Sequence, residues 1–522
     1  MQPTTNESSL QMKYGWMNIS DPISVFKQDY QHQHLQDQYG SEYDASLLGL
    51  TNYSQSARET NEKYDTYSHL YELILANIGY IVSKLPYLFY MVWPTETMFP
   101  SLDQVPRYVT EMFPVFFVAA ILENLIRLLQ GRSSIRVNET VGSLSQGIFQ
   151  ECLRIKVRSI EVLMYCLIWN NFRIITLPWD SLWTWWLCYL AVDLGFYWAH
   201  RLAHEVNFIW AIHQAHHSSE EFSIVSALRQ AVLQPFTAWF TYVPLALCIP
   251  PQVFLAHLQL SELYMAWLHT EIVKTIGPLE LILNTPSHHR VHHSRNPEYI
   301  DKNYGGMLII WDRLFGTFKA EDTNNPPVYG LVHPVKSFNP IMVQFHPWPI
   351  IWRRIRRAKT LKHKIGVLLN GPGWRPGVGR LGNIEDIPKL RHPIVPYDPP
   401  LSAWKKIYVV IHFGLLLFFY HQLTLYQHQF RAIVLNVGVV SLLASITSLG
   451  LMLDDKRRYC AIYELMRCIV FFKVQSYLTP IISQGFERTG LGLANSLILI
   501  TSIQYFFAAS VLIISINIIL RL

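Results

Sequence analysis

Asp193-Leu-Gly-Phe-Tyr-Trp-Ala-His200-Arg-Leu-Ala-His204-Glu205 closes an apolar run that begins at Leu182, and its two histidines stand four residues apart. On a helix that spacing projects both imidazoles from one face. Two further groups follow, His213-Gln-Ala-His216-His217 and His289-Arg-Val-His292-His293, each with histidines at i, i+3 and i+4. Read as three helix faces, they supply eight imidazoles: His200, His204, His213, His216, His217, His289, His292 and His293. Eleven of the 21 histidines fall between His200 and His293, under a fifth of the chain.

One divalent ion takes about four to six ligands, so eight convergent imidazoles suit two metal ions better than one. Imidazole buried without metal is costly to desolvate and self-repelling once protonated. Any single group has a second, weaker reading as a polar helix face or a headgroup-facing patch, and that reading weakens further with each added group. Ligand type does not choose the metal, since imidazole suits iron, zinc and copper, and the Glu-x-x-His pairs of ferritin-like diiron bundles are absent. The apolar setting favours iron, because a lipid substrate calls for oxygen activation at an unreactive C–H bond. Hydrolytic zinc more often keeps three ligands and an open water position.

Half of the 522 residues are hydrophobic and 15% are charged, about ten points below the ~25% of a soluble domain. The apolar residues gather in long runs. Leu491–Leu520 and Ala432–Leu453 contain no Asp, Glu, Lys or Arg and exceed the ~20 residues needed to cross hydrocarbon. Further candidate spans are Phe113–Leu129, Leu182–Trp198, Ala231–Ile249, Phe254–Leu268, Ile407–Tyr420 and Ile462–Leu478. The expected fold is therefore all-α, a polytopic integral membrane helical bundle carrying a histidine-rich cage for two metal ions. The six cysteines include no Cys-x-x-Cys pair and read as packed thiols. A net charge of +6 without basic-aromatic interleaving suits a membrane surface and gives no sign of a nucleic-acid partner.

Residues 1–80 are polar, without a signal-peptide pattern, and read as a disordered tail. Residues 81–330 hold the catalytic body, 331–404 a basic and Pro/Gly-rich connector, and 405–522 the C-terminal transmembrane helices. Trp352–Lys364 carries Arg353, Arg354, Arg356, Arg357, Lys359, Lys362 and Lys364. The positive-inside rule then turns the adjacent cage toward the cytosol.

The order His-x-x-x-His, His-x-x-His-His, His-x-x-His-His resembles the fatty acid hydroxylase superfamily, which also holds sterol desaturases and sterol C4-methyl oxidases. Within it the chain is most similar to the alkylglycerol-oxidising branch, from about Pro94 through the C-terminal bundle. The similarity is densest over His204-Glu-Val-Asn207, His216-His-Ser-Ser-Glu220, Ala227-Leu-Arg-Gln230 and Leu279–His293. The better discriminators are Phe172–Asp180, Gly371-Pro-Gly-Trp374 and Arg380-Leu-Gly382, whereas Tyr299–Tyr304 and Leu308–Phe318 are shared across the superfamily. The tail to about residue 80 lies outside the resemblance.

What the resemblance implies is a tetrahydrobiopterin-dependent, dioxygen-using hydroxylation of the ether-linked carbon of an alkylglycerol. The hemiacetal formed breaks into a fatty aldehyde and a glycerol product. Two non-haem iron ions held by the eight histidines, a pterin-recycling reductase as partner and an endoplasmic reticulum membrane location come with it. Glu205 follows His204 and points about 100° away from it; the resemblance makes it the pterin contact, while a pairing with Arg201 one turn earlier or with a basic loop is the alternative reading. His269 sits where related hydroxylases have additional metal histidines, and alone reads equally as an interfacial histidine.

Asp193, expensive on an apolar helix unless paired, is a candidate to orient a ligand histidine, or else a helix-packing group. His288 stands out of register beside His289, and His257 is assigned no chemistry. Tyr304 and Trp311 read as packing or interfacial aromatics. The runner-up activity is a sterol or acyl-chain oxidase fed by cytochrome b5. A histidine-rich membrane metal transporter is the rival from another class, although its sites lie at the bilayer midplane, whereas the last two clusters sit in polar stretches.

Overall fold

The computed structural model describes residues 71, 75–156, 160–425, 427, 430–455, 460–471, 507, 510, 511, 514 and 515. The expected tail lies almost wholly outside them, as do most of Leu491–Leu520 and the end of Ile462–Leu478. The described residues from Asn77 onward belong to one unit, and among them no strand forms, only the isolated bridges Leu283 with Leu308 and Ser294 with Tyr329. The all-α expectation holds.

The helices that place the site are α1 (Phe113–Leu129), α2 (Val137–Lys156), α3 (Ile160–Phe172), α4 (Leu182–Glu205), α5 (Asn207–His213), α6 (Pro235–Tyr242), α7 (Pro251–Trp267), α8 (Pro286–His292), α9 (Pro347–Arg357), α10 (Ala403–Leu425) and α11 (Ala432–Leu453). Helix α4 is the organising element. It runs unbroken through the first histidine pair and stops where Val206 turns extended, so that α5 restarts one residue later. One face of α4 is apolar and exposed at Trp183, Trp186, Leu187 and Leu190, while Cys188, Val192, Asp193 and Gly195 are buried. Cys188 and Val192 share a core with Tyr165 of α3, Tyr242 of α6 and Phe254 of α7.

Gly195 allows that contact. A Cβ there would lie 2.9 Å from the Tyr242 ring, and in a helix flanked by a packed aromatic such overfilling costs about 1–3 kcal/mol. Gly195→Ala is expected to lower the thermal unfolding midpoint in detergent without removing a hydrogen bond. An unchanged midpoint would mean α6 yields freely.

Three described helical runs are long and apolar enough to cross a membrane: Leu102–Leu129, Ala403–Leu425 and Ala432–Leu453. Of the other candidate spans, Ala231–Ile249 is interrupted, with α6 giving way to a 3-10 turn at Val243–Leu247, each piece opened by a proline. Phe254–Leu268 falls almost entirely in α7, a 17-residue helix with Phe254, His257, Leu260 and Leu263 buried. It is core scaffolding leading to His269. Helices α10 and α11 pack with α2 around Val409, Leu442, Ile446 and Leu449.

Candidate metal centre

Nine imidazoles converge in two adjacent groups. His200, His204, His213, His217 and His292 form one, His216, His269, His289 and His293 the other, and within each group the donor nitrogens lie within 4.8 Å of one another. All eight motif histidines take part, and His269 at the end of α7 joins them. His288 does not; its ring lies against Phe318, centroids 5.4 Å apart. His257 is elsewhere, hydrogen-bonded to the Tyr90 hydroxyl.

The motifs do not map one to a group. Helix α5 ends at His213, and a 3-10 turn at His216–Ser218 swings the next pair. As a result His217 joins the first group and His216 the second. The same division separates His292 from His293, which follows the end of α8. The His217 and His293 rings stack at 4.3 Å where the groups meet.

Hydrogen bonds to the far side of five of the nine rings decide which of their nitrogens faces inward. His200 Nδ1 donates to the Tyr304 carbonyl at 2.9 Å, His216 Nδ1 to that of Arg229 at 3.0 Å, His269 Nδ1 to that of Met265 at 3.1 Å and His292 Nδ1 to that of Lys302 at 2.9 Å. His213 Nδ1 donates to Gln234 Oε1 at 3.1 Å. A carbonyl only accepts, so each of these Nδ1 atoms carries the proton and each Nε2 presents a lone pair. His204 Nδ1 lies 3.5 Å from the Asp301 carboxylate.

Two bare lone pairs therefore face each other where His269 Nε2 and His216 Nε2 stand 3.4 Å apart. Other Nε2 pairs, His213 with His217, His269 with His289 and His289 with His293, stand at 3.1 Å. Nitrogens bound about 2.1 Å from one ion at cis or tetrahedral angles are separated by about 3.0–3.4 Å. Nε2 of His204 and of His292 are buried with no hydrogen-bond partner. The donor set and its spacing fit metal ions.

Burial pushes His213, His217, His269, His289, His292 and His293 well below the usual imidazole range, with neighbouring imidazoles acting in the same direction. His216 is pushed down to about 4. The rings are thus neutral at physiological pH and able to offer lone pairs. Because the unfolded chain titrates near 6.5, it binds more protons than the folded state between that value and about 4. Metal-stripped protein should be at full stability above about pH 6.5 and lose it progressively as pH falls toward 4. Denaturant midpoints measured across that window check the sign; a flat profile would refute buried neutral rings.

Asp193 acts at one remove from the cage. Fully buried on α4, it accepts from Met307 N at 2.7 Å, Leu308 N at 3.0 Å and Trp311 Nε1 at 2.9 Å. Asp312 accepts from Tyr304 N at 2.8 Å and Gly305 N at 2.7 Å. Between them they hold the segment whose Tyr304 carbonyl orients His200. Gly306 is needed there, as a Cβ would lie 2.7 Å from Asp193 Oδ1.

Glu205 is buried, and both its oxygens are engaged. Arg201 donates to one at 2.8 Å and Arg380 to the other at 2.7 Å. Both halves of the ion-pair reading are met, Arg201 from one turn earlier and Arg380, half exposed, from the connector. Asn207 anchors the same strap, donating from its backbone to Asn370 O and from its side chain to Val367 O, each at 2.8 Å. Half-buried Trp210 lies 4.9 Å from the His204 ring and 5.6 Å from His217. Buried Phe222 stacks on His269 and covers the second group.

Gln234 and Trp210 are not singled out by sequence, and Arg380 and Asp312 are reached there only as members of the stretches that carry the resemblance; no spacing ties any of the four to the histidines. Gln234→Ala should leave the His213 ring unanchored and weaken metal retention by about 10–100-fold in a chelator competition. Retention equal to the parent would remove Gln234 from the site.

The Fatty acid hydroxylase family matches residues 185–317, a range that contains all nine histidines, and the Alkylglycerol monooxygenase C-terminal domain matches 405–484. The chain is 45% identical over 398 residues to the alkylglycerol monooxygenase of Xenopus tropicalis, covering 75% of this chain and 87% of that protein. It is 45% identical over 406 residues to that of Homo sapiens, covering 77% and 91%. The Danio rerio protein is 45% identical over 398 residues, covering 76% and 89%. No solved structure matches the chain. Matched over most of its length and over most of theirs, this membrane oxygenase belongs to the alkylglycerol monooxygenase family.

Proposed function

We propose that the protein hydroxylates the ether-linked carbon of alkylglycerols, using two non-haem iron ions held by His200, His204, His213, His217 and His292 on one side and His216, His269, His289 and His293 on the other. The observation that carries this reading is the convergence of nine imidazoles in two groups, with Nδ1 of five of them anchored outward so that their Nε2 lone pairs face in. Bound iron supplies activation of dioxygen toward a C–H bond that no side chain can attack. One oxygen atom enters the C–H bond; the other leaves as water with two electrons from tetrahydrobiopterin. The resulting hemiacetal breaks its C–O bond to a fatty aldehyde and a glycerol derivative.

The chain's own residues hold the rings in place, with Phe222 packed against the second group and Trp210 beside His204 and His217 of the first. Glu205 is the proposed pterin contact, with Arg201 and Arg380 fixing its carboxylate. A reductase recycling the pterin is the expected partner. By the positive-inside rule the centre faces the cytosol, and the proposed membrane is the endoplasmic reticulum. The test is aldehyde release from an alkylglycerol by membranes containing the protein, with and without tetrahydrobiopterin. Turnover that required cytochrome b5 and accepted sterols instead would overturn the substrate and donor assignment.

A further inference from the structure

No acidic residue lies between Asp322 and Glu385, a stretch that holds ten basic side chains. Their densest part is α9, the turn behind it and the first residues of the following helix, Leu361–Leu369. The inner face of α9 is committed, with Ile351 buried against Ala211 of α5 and Val367, and Trp348 and Ile355 packed beside them. Arg354 is also turned inward, donating to the Pro372 carbonyl at 3.0 Å and to that of Trp374. The outer face is different. Arg353, Arg356 and Arg357 are exposed, and so are Lys359, Lys362 and Lys364.

None of these six cations forms an ion pair or side-chain hydrogen bond with a described residue, in a protein where Arg136, Arg229, Arg290 and Arg380 all do. Apolar side chains accompany them: Ile350 is 51% exposed, Trp352 62%, and Leu361 72%. Cations with flexible stems beside a tryptophan and aliphatic residues match the region where headgroups meet acyl chains. A soluble acidic protein would satisfy the charges and leave Trp352, Ile350 and Leu361 in water.

We propose that Arg353, Arg356, Arg357 and Lys359–Lys364 form a docking site for anionic phospholipid headgroups of the membrane in which the protein sits. The site shares a core with α5, which carries His213, so bound lipid stands one helix away from the metal centre. The inference is independent of the substrate and metal assignment.

The test uses the full chain in neutral detergent, titrated with mixed micelles of phosphatidylserine or phosphatidylcholine carrying a spin-labelled lipid of each class. The parent should prefer phosphatidylserine by about tenfold or more, and the triple variant R353Q/R356Q/R357Q should lose that preference. R353K/R356K/R357K keeps the charge and should keep the preference, which should weaken as salt rises from about 50 to 500 mM. These positions are exposed and outside the centre, so aldehyde release at saturating substrate should be unchanged in the glutamine variant. Equal binding of both lipids by the parent, selectivity surviving in the glutamine variant, or displacement of the labelled lipid by inorganic phosphate at matched concentration would each overturn the proposal.

Discussion

His292→Ala should lower turnover by about 1000-fold or more while the protein remains folded and monodisperse in detergent. His292 is the one member of its group that comes from α8. Its ring lies 4.3 Å from that of His200 and 4.8 Å from those of His204 and His217. The Lys302 carbonyl holds its proton outward, and its Nε2 is buried without a partner. Removing it takes away a ligand from one group and leaves the other intact, so iron content should fall toward half of the parent's. His288→Ala is the matched control, four residues earlier on the same helix but outside both groups. Its turnover should stay close to the parent's. Equal losses in the two variants would mean that α8 is merely fragile, and full iron in His292→Ala would take that ring out of the centre.

Asp193→Ala is expected to have the largest effect on stability. It strips the acceptors from two backbone N–H groups and the Trp311 indole, all held at 2.7–3.0 Å. An unpaired buried donor costs about 1–3 kcal/mol, and with partial relaxation the sum is about 3–5 kcal/mol. The damage should also reach the metal. Once the segment from Tyr304 to Leu308 is loose, the carbonyl that fixes His200 is no longer held, and loss of such an anchor weakens metal binding by about 10–100-fold. Asp193→Asn retains one acceptor oxygen and most of the shape, so it should fall between the parent and alanine in both unfolding midpoint and chelator resistance. A parental midpoint in Asp193→Ala would show that water or rearrangement satisfies the three donors.

Both predictions concern residues visible in the sequence, but for different reasons. His292 is marked by its spacing from His289 and His293, a local signal that a helix turns into a shared face. Asp193 is marked only by the expense of a carboxylate on an apolar helix, which says that a partner exists without naming it. The partners, Met307, Leu308 and Trp311, lie more than a hundred residues away.

By itself the sequence determined the helical class, the apolar character of α10 and α11, and the eight imidazoles. Each is encoded by residues within a few turns of one another, where the 3.6-residue period is the physical link. Tertiary structure alone decided how the imidazoles are divided, sending His217 and His292 to one group and their neighbours His216 and His293 to the other. It also decided between the two readings of His269 by seating it in the second group, added Arg380 to the local Arg201 pairing of Glu205, and stopped Ala231–Ile249 from forming one continuous helix. These outcomes depend on which surfaces pack together across long separations in the chain. Local spacing specifies a helix face, and only packing specifies what that face meets.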